Sequence, residues 1–163
     1  MSGFNLGEFF TAIGSVLKRA GVAWSGLSGI LADGGPGNRT GSYATKMLID
    51  VAGALGQNVP VHSFCGAKWI AHWILESGGP RSFRLVVPTG GRRCAMLPVR
   101  DGSVEELYHC ERPDSNENSP LYALLSRAGD RLPAGAEPAP FPPLRFFADR
   151  LWPLEKFTNR QTF

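Results

Sequence analysis

Residues 82–110 read SFRLVVPTGGRRCAMLPVRDGSVEELYHC, and this stretch decides the fold class. Phe83, Leu85 and Val87 alternate with Ser82, Arg84 and Val86, the period of two that a strand imposes on its side chains. Thr89-Gly-Gly-Arg92 turns the chain, and Cys94 to Val99 returns along it. Asp101-Gly102 is a strong hairpin signal, and Val104 to Cys110 supplies a third strand. Pro98 has no N–H to give to a ladder, which places its strand at an edge. Strands over about 82–87, 93–99 and 104–110 therefore form an antiparallel meander.

Upstream the period is helical. Leu6, Phe10, Ile13, Leu17, Ala20, Trp24, Leu27 and Leu31 recur at alternating spacings of four and three, which predicts a helix over about 4–32. Gly7, Gly14, Gly21 and Ser28 form a second line at every seventh residue. Each interior glycine costs about 1 kcal/mol against alanine, so the line calls for a compensating close approach by another helix. The rival is a helix broken at Gly21 or Gly26. Asp33-Gly-Gly-Pro-Gly-Asn-Arg-Thr-Gly41 is a loop, without the Gly-Lys-Ser/Thr ending of a phosphate cradle. Ser42 then caps a helix over about 42–56, and Ser63 one over about 64–77. Lys68, His72 and Glu76 make a polar stripe on the latter, opposite Trp69 and Trp73. Downstream, Ser119-Pro120 starts a helix to about residue 128, with proline at the first helical position.

These elements give one α+β domain over 1–132: three N-terminal helices, the three-stranded antiparallel meander and one further helix. From Pro133 to Phe163 prolines interleave with Phe141, Phe146, Phe147 and Trp152. Disordered tails are poor in aromatics, so this reads as an extended arm that docks on something. No internal repeat is visible.

Composition narrows the function classes. The 163 residues carry 17 Lys+Arg against 14 Asp+Glu, a balance too mild to call for a nucleic-acid partner. Three cysteines, Cys65, Cys94 and Cys110, are too few for a disulfide framework and fit a reducing, intracellular compartment. No run of about 18 apolar residues exists to span a membrane. The first segment is acid-poor and amphipathic, which leaves open an uncleaved organellar, mitochondrial, address. Arg81, Arg84, Arg92, Arg93 and Arg100 gather on the meander as a solvated face, with an anionic membrane surface as the other partner they could meet.

Residues alone favour no catalytic group, no metal and no cofactor. The alternative is Cys65 with His109. Cys65 falls on the first turn of a helix, where the dipole lowers a thiol pKa, and a strand histidine could act as base. A cysteine helix followed by an antiparallel sheet bearing histidine resembles the plan of papain-like and NlpC-like hydrolases, and that resemblance implies Cys65 as nucleophile and His109 as base. Asp114 and Asn116 are the polar residues nearest to a third group. His62 and Cys65 with Cys94, His109 and Cys110 could be counted as metal ligands, but neighbours on a strand face opposite ways. The leading expectation is a non-catalytic accessory or structural subunit of a larger protein assembly. Its interaction surfaces would be Gly7, Gly14, Gly21 and Trp24 on the first helix and Phe141, Phe146, Phe147 and Trp152 on the arm. A binder of anionic surfaces is the third reading.

Overall fold

The computed structural model describes residues 6–36, 43, 45–48, 50–51, 59–90, 93–111, 119–124, 132–143 and 145–146. Helix α1 spans Leu6–Arg19, a short 3-10 turn Trp24–Gly26, and strand β1 Ile30–Asp33. Helix α2 is described at 43, 45–48 and 50–51. Strand β2 (Val61–Phe64) leads into α3 (Gly66–Glu76). Then follow β3 (Phe83–Gly90), β4 (Arg93–Arg100), β5 (Ser103–Val104), β6 (Tyr108–Cys110), β7 (Leu121–Ala123) and β8 (Ala136–Pro138).

The architecture corrects the expected fold class. Six strands form one mixed sheet in the order β5-β4-β3-β7-β8, with β6 also on β4, and β1 pairs with β2 in a separate two-stranded sheet. The antiparallel strands are thus only part of a larger sheet, because β7 runs parallel to β3 and β8 parallel to β7. In place of the start of the helix expected from Pro120, Leu121–Ala123 form β7, and residues 125–128 lie outside the described residues. Pro120 lends its carbonyl to the Arg84 amide at 2.9 Å, and the Leu124 amide donates to Val86 at 2.9 Å. Leu121 and Ala123 are buried on one side while Tyr122 packs its ring against Phe83 at 5.5 Å. That alternating burial outweighs the weak helix signal of a proline.

Helix α1 ends far short of residue 32, and Gly21 is the reason. Gly21 takes φ +67, the Val22 amide donates to Leu17 at 3.0 Å and the Gly21 amide to Lys18 at 3.1 Å. This crossed pair of bonds is a Schellman stop, which needs a residue free to enter the left-handed region. Ile30 and Leu31, which continue the helical spacing by number, lie instead in β1. Among the described residues, apart from chain neighbours and the helix's own backbone, no atom comes within 4 Å of a Cβ built at Gly14 or Gly21, and Gly7 is exposed. Trp24 is half-buried in the 3-10 turn.

Pro98 sits in an inner strand, not an edge one, since β4 has β3 on one side and β5 and β6 on the other. Its carbonyl accepts the Glu105 amide at 3.0 Å, so its missing donor faces the same side. There the ladder breaks between Val104 and Tyr108, and the register steps by one residue. Proline is placed where no donor is required. Asp101 and Gly102, both at positive φ, close the two-residue β4–β5 turn.

The main core lies between α3 and one face of the sheet. Ala67, Ile70, Ala71 and Ile74 pack on Phe83, Leu85, Val87, Ala95, Leu97 and Val99. Val86, Cys94, Met96, Leu121 and Ala123 form a second cluster. Arg84, expected on a solvated face, is 5% exposed. A strand covered on both faces explains why the residues between Phe83, Leu85 and Val87 are buried too. Within the stretch read as an arm, β8 joins the sheet and Phe146 is buried against Trp73 and Trp69, at ring distances of 4.9 and 6.3 Å. Phe141 is 70% exposed. Phe147, Trp152, Asp114 and Asn116 lie outside the described residues. Among the described residues no helix is long and apolar enough to cross a membrane.

Candidate functional site

Strands β1 and β2 run parallel with Ile30 opposite Val61 and Asp33 opposite Phe64. Their carboxyl ends are therefore level, and the segments that leave them emerge side by side. A crevice outside the carboxyl ends of parallel strands is where open α/β sheets hold ligands. The Gly34 amide donates to the Phe64 carbonyl at 2.8 Å, which ties the two exits together.

Asp33 organises this end. Its Oδ1 accepts the Gly35 amide at 3.0 Å and the Gly66 amide at 2.9 Å. The second bond gives α3 a carboxylate at its N-terminus, borrowed from a strand more than thirty residues earlier in the chain. Gly66 lets the carboxylate come this close, because a Cβ at that position would push the Asp33 carboxylate aside. The expected cap, Ser63, lies in β2; the N-cap is Cys65, whose side chain makes no cap bond. Although Asp33 as a residue is exposed, its carboxyl is tucked against the helix start. Lost hydration raises its pKa, and the Gly35 and Gly66 amides offset that only in part.

Beyond Asp33 opens a cavity of about 390 Å³ lined by Gly34, Gly35, Pro36, Cys65, Thr89, Leu107 and His109. It joins the β1 exit, the N-cap of α3, the end of β3 and the edge strand β6. Lys68 on α3 meets Glu106 at 3.5 Å, a surface pair that contributes little energy but spans from the helix to the segment before β6. Cys65 and His109, the two residues singled out as a catalytic alternative, thus line the same cavity. The expected depression of the Cys65 thiol does not occur. Burial pushes its pKa up, Asp33 adds to the rise, and the Lys68 and Ala67 amides with the Lys68 charge oppose it without prevailing.

The counted metal ligands separate. Cys94 and Cys110 face each other across β4 and β6, whereas Cys65 and His109 belong to the cavity. Among the described residues no three His, Cys, Asp or Glu side chains gather to hold an ion. Asp33 is the residue that sequence reasoning missed. Asp33-Gly34-Gly35 marks a turn in the sequence, but nothing local to it shows that Asp33 reaches the start of α3.

No family profile and no curated protein matches the sequence. Solved structures do match the fold. YeaZ from Pseudomonas aeruginosa aligns with a TM-score of 0.59 at 15% identity, covering 93% of this chain and 78% of that one. A second structure, described as an uncharacterised protein with similarity to the peptidase YeaZ from Pseudomonas aeruginosa, aligns at TM-score 0.50 and 16% identity. It covers 80% of this chain and 67% of that one. At such identity the likeness is one of fold. The fold shared with YeaZ overturns the expectation of a non-catalytic accessory subunit. A papain-like or NlpC-like plan also gives way, because His109 lies on a short edge strand of a mixed sheet.

Proposed function

We propose that the chain is a catalytic protein that cleaves an acyl bond, an amide or an ester, in the cavity at the carboxyl ends of β1 and β2. The observation that carries this reading is the convergence of Cys65 and His109, distant in sequence, on one cavity beside a helix N-terminus. The likeness of the second matching structure to a peptidase is consistent with it.

The raised thiol pKa defines what the mechanism requires. Cys65 holds its proton at neutral pH, so attack needs a base at the moment of reaction rather than a resting thiolate. His109 is the imidazole available in the cavity wall. It takes the thiol proton while sulfur bonds to the acyl carbon, then gives that proton to the departing amine or alcohol. Water releases the resulting thioester. Asp33 does not react; it fixes the start of α3 and thereby the position of Cys65.

A chromogenic aryl ester tests the proposal. Mass spectrometry should find an acyl group on Cys65 of the wild type and no such adduct in Cys65→Ala. His109→Ala should acylate on the order of 10²-fold more slowly, the usual contribution of a general base. Unacylated Cys65, or equal rates with and without His109, would refute it. The likeness to YeaZ supports a second reading, a part in tRNA modification. Under that reading, a cell lacking the protein loses a modified tRNA nucleoside, and Cys65→Ser restores it as well as the wild type does.

A further inference from the structure

The two cysteines outside the cavity stand opposite each other. Cys94 on β4 and Cys110 on β6 are register partners in an antiparallel ladder, and their Sγ atoms are 2.8 Å apart. Directly opposed residues in such a ladder have Cα atoms roughly 4.5–5.5 Å apart, inside the span a disulfide bridges. Cys94 is 6% exposed while Cys110 is half-buried on a strand that pairs only with β4 among the described residues. Both are free thiols.

We propose that Cys94 and Cys110 are a reversible redox pair, which a low-molecular-weight disulfide such as oxidised glutathione converts to a bridge that staples edge strand β6 to β4. Cys110, the more accessible sulfur, gives its proton to solvent and attacks the glutathione disulfide as thiolate, and each departing glutathione takes up one proton. A mixed disulfide forms on Cys110 and one glutathione leaves as thiolate. Cys94 then gives up its proton and attacks the Cys110 sulfur, the protein bridge forms, and the second glutathione leaves. Two protein thiols are oxidised and one glutathione disulfide is reduced to two thiols, so electrons and protons balance.

The order of attack follows from the environment. Burial first, then the hydrogen bond to Cys110 and its charge, push the Cys94 thiol up to about 12. Cys94 therefore keeps its proton until the mixed disulfide is beside it, which suits the resolving partner. Strand β6 also carries His109, so the bridge fixes the strand that presents this imidazole to the cavity. That consequence alone rests on the acyl-cleavage reading.

The test uses the full chain, reduced and then equilibrated with oxidised glutathione, denatured in acid and alkylated. Mass spectrometry should find Cys65 alkylated and a peptide linked through Cys94 and Cys110. Cys94→Ser should instead hold one glutathione on Cys110 as a lasting adduct. The oxidised wild type should melt roughly 5–10 °C above the reduced form, as closing a loop of this size predicts. Three alkylated cysteines at equilibrium, a lasting glutathione on the wild type, or a link through Cys65 would overturn the proposal. The mass measurement reads the bridge whether or not the cavity cleaves any ester.

Discussion

Asp33 is the residue whose replacement most sharply tests how the site is held. Asp33→Ala removes the acceptor of two amide bonds, from Gly35 and from Gly66. A lost helix cap costs about 1 kcal/mol, and a second bond to a charged acceptor a similar amount, so the loss is about 2 kcal/mol. In a domain of this size that lowers the melting temperature by roughly 4–8 °C. Asp33→Asn keeps an oxygen that can accept both amides and removes the charge that burial disfavours, so it should retain most of the stability. The pH dependence gives an independent check. An acid whose folded pKa lies above its ordinary 3.8 holds its proton more tightly in the folded chain. Its contribution is therefore greatest below 3.8 and declines as pH rises through the folded value. The wild type should lose stability relative to Asp33→Asn across that window, measured by thermal or urea unfolding at a series of pH values. Gly66→Ala, which drives a Cβ into the carboxylate, should destabilise the wild type but be harmless in the Asp33→Ala background. If Asp33→Ala shifts the melt by less than about one degree, or Gly66→Ala costs the same in both backgrounds, Asp33 does not organise the helix start.

Gly21→Ala forces a methyl group onto a left-handed residue and should cost about 1–2 kcal/mol in thermal melts, although among the described residues nothing beyond its chain neighbours lies within 4 Å of that methyl. Phe146→Ala empties the space between the Trp69 and Trp73 rings and should cost about 3 kcal/mol, with a matching change in tryptophan emission. Iodoacetamide should label Cys65 slowly at neutral pH, at a rate that climbs with pH beyond 9; labelling already at its plateau at pH 7 would contradict the raised thiol pKa.

The antiparallel strands around Pro88 and Asp101-Gly102 were legible because their evidence is local: a period of two, a turn, and a partner strand immediately downstream. The parallel strands were not. Leu27 and Leu31 keep the helical count begun at Leu6, so nothing in residues 27–31 says that Gly21 has already ended the helix. Pro120 opens either a helix or a strand, and only the free edge of β3 decides between them. Parallel pairing takes its partner from a distance, and three residues such as Leu121–Ala123 carry too short a pattern to announce it.

The same distinction governs the candidate site. Cys65 and His109 could be named from residue type and from their places on a helix start and a strand. Asp33 could not, because its role exists only once β1 and β2 lie in register. Parallel pairing of Asp33 with Phe64 brings the carboxylate level with the first amide of α3, one residue beyond Cys65. A one-residue slip would turn Asp33 to the other face of the strand and leave the Gly66 amide to water. The thiol pKa follows the same logic: the helix position alone predicts a fall, and the packing that completes the cavity reverses it. Residue types nominate chemistry, but register and burial assign it, and here they turn a would-be thiolate into a protonated thiol.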